Sequence, residues 1–118
     1  MRVSYVPRRR ENSNNVIDIH SHLLPSIDDG AVSVEVSLDM LDAAAAIGFR
    51  TIVATPHLVG PLTSEYDAQV QGAFRQIEPH AHARGMTLVS GFEIRLSPDL
   101  PGRLAQGEPS TLGGSRVV

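Results

Sequence analysis

The sequence predicts an α/β fold with parallel strands, and three observations carry that expectation. Short β-branched runs alternate with longer stretches of helical periodicity; both long helical stretches end on a glycine; and Ile52-Val53-Ala54 sits in a nearly unbroken apolar run of the kind buried on both faces of a sheet. Compact β-α-β-α-β alternation implies right-handed crossovers between parallel strands. Such sheets collect their ligand sites at the C-terminal ends of the strands.

Taken in order, residues 1–15 hold Arg8-Arg9-Arg10 and a polar run to Asn15 without periodicity, and read as a flexible leader. Three arginines could touch an anion, but a solvated terminus is the ordinary reading. The first strand is expected at Val16 to His20. A helix should follow from Val34 to Ile47, capped by Ser33, favoured by Glu35 at its positive end and stopped by Gly48. Its apolar stripe is Val34, Leu38, Leu41 and Ala45, widened by Met40, Ala44 and Ile47. Thr51 to Thr55 is the second strand. A second helix covers about 64–84 with Tyr66, Val70, Ala73, Ile77 and Ala81 on one face, and Pro79 should kink or restart it. Met86 to Ser90 is the third strand. A short helix is expected within Pro98 to Gly107, and Ser115 to Val118 resembles the start of another strand.

At 118 residues the chain can bury one core. A net charge of −3 gives no reason to expect nucleic acid or an acidic membrane as partner. The absence of cysteine removes disulfides, thiolate metal ligands and cysteine nucleophiles, so any metal must be held by nitrogen and oxygen. No apolar run reaches the length of a membrane span and the first 15 residues lack the apolar centre of a signal peptide, making a cytoplasmic location the expectation.

Chemistry concentrates at the expected strand ends. His20 and His22 close the first strand, where residues i and i+2 share a face and can point at one ion. Asp28-Asp29-Gly30 follows with hard carboxylate oxygens, although Asp-Asp-Gly is also an ordinary turn. His57 follows the second strand and Glu93 the third. Candidate ligands from three strands thus fall on the one edge where this architecture assembles active sites.

These residues lie in motifs that resemble a known family. Ile17-Asp18-Ile19-His20-Ser21-His22-Leu23-Leu24-Pro25, Ile27-Asp28-Asp29-Gly30-Ala31, Ile52-Val53-Ala54-Thr55-Pro56-His57 and Gly91-Phe92-Glu93-Ile94 look like the polymerase and histidinol phosphatase (PHP) superfamily. Within it, they are similar to the manganese-dependent tyrosine phosphatases of bacterial capsule and exopolysaccharide operons. Ser37 to Leu41 and Gly113 to Arg116 fit more weakly. The resemblance implies a distorted β/α barrel of which residues 16–118 form the N-terminal half. It implies a multinuclear site, with Mn²⁺ as first choice and Fe²⁺ or Zn²⁺ as alternatives. His20 and His22 would bind one metal, Glu93 would bridge two, and Asp29 and His57 would bind a third. Asp18 is expected to support the strand end or a ligand's second nitrogen. The implied reaction is hydrolysis of phosphotyrosine, on the tail of a polysaccharide-export tyrosine autokinase, by metal-activated hydroxide. A PHP-type phosphoesterase acting on histidinol phosphate is the alternative.

Members of this family are about twice as long and place further ligands downstream, and a β/α barrel needs about 250 residues. The chain is therefore expected to be a fragment, a truncated product without activity, or a half that completes itself as a homo-oligomer. Other residues have plainer readings. His80 and His82 diverge by about 200° on a helix and read as surface histidines. Tyr66, Phe74 and Phe92 read as packing residues. Arg95 and Arg116 are open candidates for phosphate contact.

Overall fold

The computed structural model describes residues 16–107; the expected leader, the strand start at Ser115 and the candidate Arg116 lie outside them. The chain runs β1 (Val16–Ser21), α1 (Val34–Ala46), β2 (Phe49–Ala54), β3 (His57–Leu58), α2 (Ser64–Ala83), β4 (Thr87–Ser90), β5 (Glu93–Ile94) and α3 (Leu100–Ala105). Strands β1, β2 and β4 form a parallel sheet in that order, as the alternation predicts. A separate parallel pair, β3 with β5, was not expected from the sequence.

The core lies between this sheet and the two long helices. Leu23, Leu24, Leu41, Ile52, Ala54, Val70, Ala73, Ile77, Ala81, Met86 and Leu88 form one buried cluster. On α2 the buried set Val70, Ala73, Ile77 and Ala81 is the predicted stripe, with Tyr66 packed partly against it. Pro79 does not restart the helix, which is unbroken from Ser64 to Ala83. Both Pro79 and Arg75, whose carbonyl loses its partner, are exposed, so water can serve that oxygen. Burial of Val70 and Ile77, about 1.5–3 kcal/mol each, offsets the roughly 3 kcal/mol that an interior proline costs.

Helix α1 departs from its predicted stripe in two places. Ile47 stands at the C-cap, past the last helical turn, and is 74% exposed. Ser37 instead is fully buried, and its hydroxyl donates to the carbonyl of Leu23. That bond ties the loop after β1 to the helix and satisfies a carbonyl which burial would otherwise penalise. Ser33 caps α1 as expected, its Oγ accepting from the Val36 amide at 3.2 Å.

A charged contact joins the two helices on the outside. Arg84 Nε donates to Asp42 Oδ1 at 2.6 Å, and Arg84 also donates to the His80 carbonyl. The hydrogen bond from Arg84, with its positive charge, holds the Asp42 carboxyl below its usual range. A depressed carboxyl contributes stability that is present above its unfolded pKa and lost as pH falls through the folded value. Urea unfolding should therefore show Asp42→Asn less stable than wild type at neutral pH, with the gap closing in strong acid. A gap that persists unchanged in acid would contradict the pairing.

Candidate metal centre

Three strand ends build the site. At the end of β1, the Asp18 carboxylate accepts from the His20 amide at 3.0 Å, the strand-end role expected of it. Buried Thr55 then stitches β1 to β2: its Oγ1 accepts from the Ser21 amide at 3.0 Å, and its own amide donates to the Ser21 carbonyl at 2.8 Å. These bonds span the place where the β1–β2 register shifts, and fix His20 and His22 beside the end of β2.

The register that pairs Ala54 with Ser90 in the main sheet also pairs His57 with Glu93, three residues further along each strand. Bonds from Gly91 N to Ala54 O and from Glu93 N to Pro56 O carry the ladder across the interruption. Strands β3 and β5 are thus a continuation of β2 and β4 that sets His57 directly opposite Glu93.

The loop after β1 brings in the aspartates. Its backbone closes on itself through Ala31 N to His22 O at 3.0 Å and Ser26 N to Ala31 O at 2.9 Å. Asp28, whose side chain is 8% exposed, turns inward. Its Oδ2 accepts from His22 Nδ1 at 2.8 Å and from the His57 amide at 3.2 Å, and its Oδ1 from the Gly30 amide at 3.0 Å. Burial works against its ionisation, but the hydrogen bonds from His22, Gly30 and His57 outweigh that and hold the carboxyl below its usual range. Asp29 points outward, its Oδ1 at 3.1 Å from His57 Nε2.

The centre of the arrangement is one oxygen. Glu93 Oε2 lies 2.9 Å from His57 Nδ1, 3.1 Å from His22 Nε2 and 3.4 Å from His20 Nε2, and the two latter nitrogens are 2.9 Å apart. Yet that oxygen is buried and has no hydrogen-bond partner among the described residues. With Nδ1 of His22 donating to Asp28, its Nε2 presents a lone pair toward a carboxylate oxygen. Lone pairs so placed repel unless a cation lies among them. Donors bonded to one ion at about 2.1 Å sit roughly 3.0 Å apart in an octahedron and roughly 3.4 Å apart in a tetrahedron, which is the spread observed. The donor set of imidazole and carboxylate suits Mn²⁺, Fe²⁺ or Zn²⁺ alike.

All five sequence candidates for metal ligation, His20, His22, Asp29, His57 and Glu93, are brought together in two overlapping groups. One comprises His20, His22 and Glu93; the other comprises His22, Asp28, Asp29 and His57. The first four candidates and Glu93 also line an open cavity of about 440 Å³ with Asp18, Ser21 and Met40. Arg95 is exposed two residues beyond Glu93, its amide bonded to the Leu58 carbonyl. His80 and His82 are exposed and belong to neither group. Phe74 and Phe92 pack partly against the core. Tyr66 does more than pack, since its hydroxyl donates to the His57 carbonyl. Burial, and then the charge of Asp28, raises the Tyr66 pKa and keeps that hydroxyl a donor.

Residues 16–118 match the model of the capsular polysaccharide synthesis family CpsB/CapC. The chain belongs to the CpsB/CapC family. Among curated relatives, it is 33% identical over 105 residues to the tyrosine-protein phosphatase YwqE of Bacillus subtilis (strain 168), covering 87% of this chain and 41% of that one. It is 43% identical over 105 residues to the tyrosine-protein phosphatase CpsB of Streptococcus agalactiae, covering 87% of this chain and 43% of that one. The crystal structures of YwqE and of Streptococcus pneumoniae CpsB, described as metal-dependent tyrosine phosphatases, provide a structural match with TM-score 0.62 and 31% identity. It covers 85% of this chain and 41% of the solved one. The α/β arrangement with parallel strands is therefore that of part of a CpsB/CapC fold of the PHP type. The chain spans about two fifths of the length of the CpsB/CapC relatives it matches.

Proposed function

We propose that this chain supplies the N-terminal metal ligands of a metal-dependent phosphotyrosine phosphatase. The single observation that carries the reading is Glu93 Oε2, buried among three imidazole nitrogens and without a hydrogen bond from any described residue. In this reading His20 and His22 would hold one ion, Glu93 would bridge two, and Asp29 and His57 would hold a third. Mn²⁺ is the metal proposed, from the family resemblance. When bound, such ions activate water and neutralise charge on phosphoryl oxygens and the leaving phenolate.

The chain's own residues do the rest. The end of β1 and the starts of β3 and β5 hold the ligands in a fixed frame, and the open cavity admits a phosphate ester from solvent. Arg95 is the candidate to meet the phosphate. This chain carries no cysteine, so a phosphocysteine route has no nucleophile in it. The substrate proposed is the phosphotyrosine tail of a polysaccharide-export tyrosine kinase.

The test is hydrolysis of a phosphotyrosyl peptide, with histidinol phosphate for comparison, by the purified chain with Mn²⁺, with chelator and as His57→Ala. Peptide turnover that needs Mn²⁺ and falls at least a hundredfold in His57→Ala, about 2.7 kcal/mol of barrier, is the expected result. Turnover insensitive to chelator, or faster on histidinol phosphate, would overturn the reading.

A further inference from the structure

We infer that Asp28 and Tyr66 are positioning residues that orient His22 and His57 toward the ion, an inference that rests on the metal reading above. Asp28 is the point where three separate parts of the site are tied together: the imidazole of His22, the backbone of His57 and the turn at Gly30. One oxygen serves both histidines. A carboxylate accepting from Nδ1 fixes the His22 tautomer, leaving Nε2 unprotonated on the side where Glu93 and His20 converge.

The backbone of His57 is held on both sides of its Cα. Its amide donates to Asp28 and its carbonyl accepts from the Tyr66 hydroxyl, so helix α2 and the loop after β1 clamp the same residue. The two rings stack, with centroids 4.5 Å apart and planes 26° from parallel. A displacement of either histidine therefore disturbs the other. Asp28 also appears among groups able to hold a metal. Each of its oxygens already accepts hydrogen bonds from protein donors, and the side chain is largely buried. Those donors make it a support for ligands and not a ligand itself. In metal sites, loss of such an outer partner lowers affinity by about ten- to a hundredfold.

The experiment uses Mn²⁺ alone as the probe and nitrogen-15 spectra of the metal-free chain to read the His22 tautomer. In wild type, His22 should carry its proton on Nδ1. In Asp28→Ala that preference should disappear and Mn²⁺ affinity should fall by about ten- to a hundredfold. Asp28→Asn can still offer one oxygen to His22 and His57, though its amide then faces the Gly30 N–H. It should keep the tautomer and lose less affinity than Asp28→Ala. Tyr66→Phe, which retains the ring, should lose about three- to tenfold, the worth of one hydrogen bond. Circular dichroism on each variant checks the fold. Variants that fold and bind Mn²⁺ like wild type, or a His22 tautomer indifferent to Asp28, would overturn the inference. A wild-type chain that binds no Mn²⁺ but shows an Asp28-dependent tautomer would instead overturn the metal reading and support orientation by Asp28.

Discussion

Glu93→Gln is expected to weaken Mn²⁺ binding by more than about a hundredfold and, in the presence of chelator, to make the chain more stable. First-sphere loss should exceed the ten- to hundredfold typical of outer partners, because Glu93 Oε2 lies within 3.4 Å of a nitrogen of each of the three imidazoles. The stability gain follows from the same geometry. A buried polar atom without a hydrogen bond costs about 1–3 kcal/mol, and Glu93 Oε2 is such an atom. A glutamine amide in its place donates to the lone pairs that now face a carboxylate. A gain of about 1 kcal/mol raises Tm by roughly 4–8 °C in a domain of this size. Thermal unfolding with chelator and a Mn²⁺ titration read both effects. A variant that binds as wild type does, and melts lower without metal, would show that Glu93 stabilises the fold and is not held in place for an ion.

Gly30→Ala is expected to damage the site more than any change to its exposed residues. A Cβ at position 30 would lie 2.0 Å from the His22 carbonyl oxygen and 2.5 Å from the His22 Cβ. Neither neighbour is the free end of a flexible chain. The oxygen also accepts from the Ala31 amide, and His22 is pinned by Asp28. The loop must therefore open, breaking the Gly30 amide's bond to Asp28 as well. A clash of this kind costs about 1–3 kcal/mol, and more where the backbone itself must move. Expected results are loss of Mn²⁺ binding and a clear drop in unfolding midpoint. By contrast, Gly72→Ala, whose added Cβ meets nothing within 4 Å among the described residues, should leave Mn²⁺ binding unchanged and raise the unfolding midpoint, since alanine is favoured over glycine by about 0.8–1 kcal/mol inside a helix.

Much of this was legible in the sequence because the responsible signals are local. The stripe on α2 and the caps of α1 follow from helical period and side-chain chemistry, and the parallel order of β1, β2 and β4 follows from alternation. The meeting of His20, His22, His57 and Glu93 was foreseeable because parallel sheets place their strand ends on one edge. What was missed depends on contacts distant in sequence. The β3–β5 pair is only two residues long in each strand, too short for any period to be read. Ser37 gives no outward sign that the Leu23 carbonyl awaits its hydroxyl. Asp28 looked like a turn residue, and it is one; its second role needs His57, 29 residues away, to be in place. Tyr66 reads as a packing residue because the ring does pack, and only the fold reveals what its hydroxyl meets.

The most direct measurement is anomalous diffraction at the manganese edge from crystals of this chain soaked in Mn²⁺. The account predicts one peak within bonding distance of His20 Nε2, His22 Nε2 and Glu93, and another between Asp29 and His57 Nε2. Absence of both peaks, with the imidazoles and Glu93 hydrogen-bonded directly to one another at these same spacings, would contradict it.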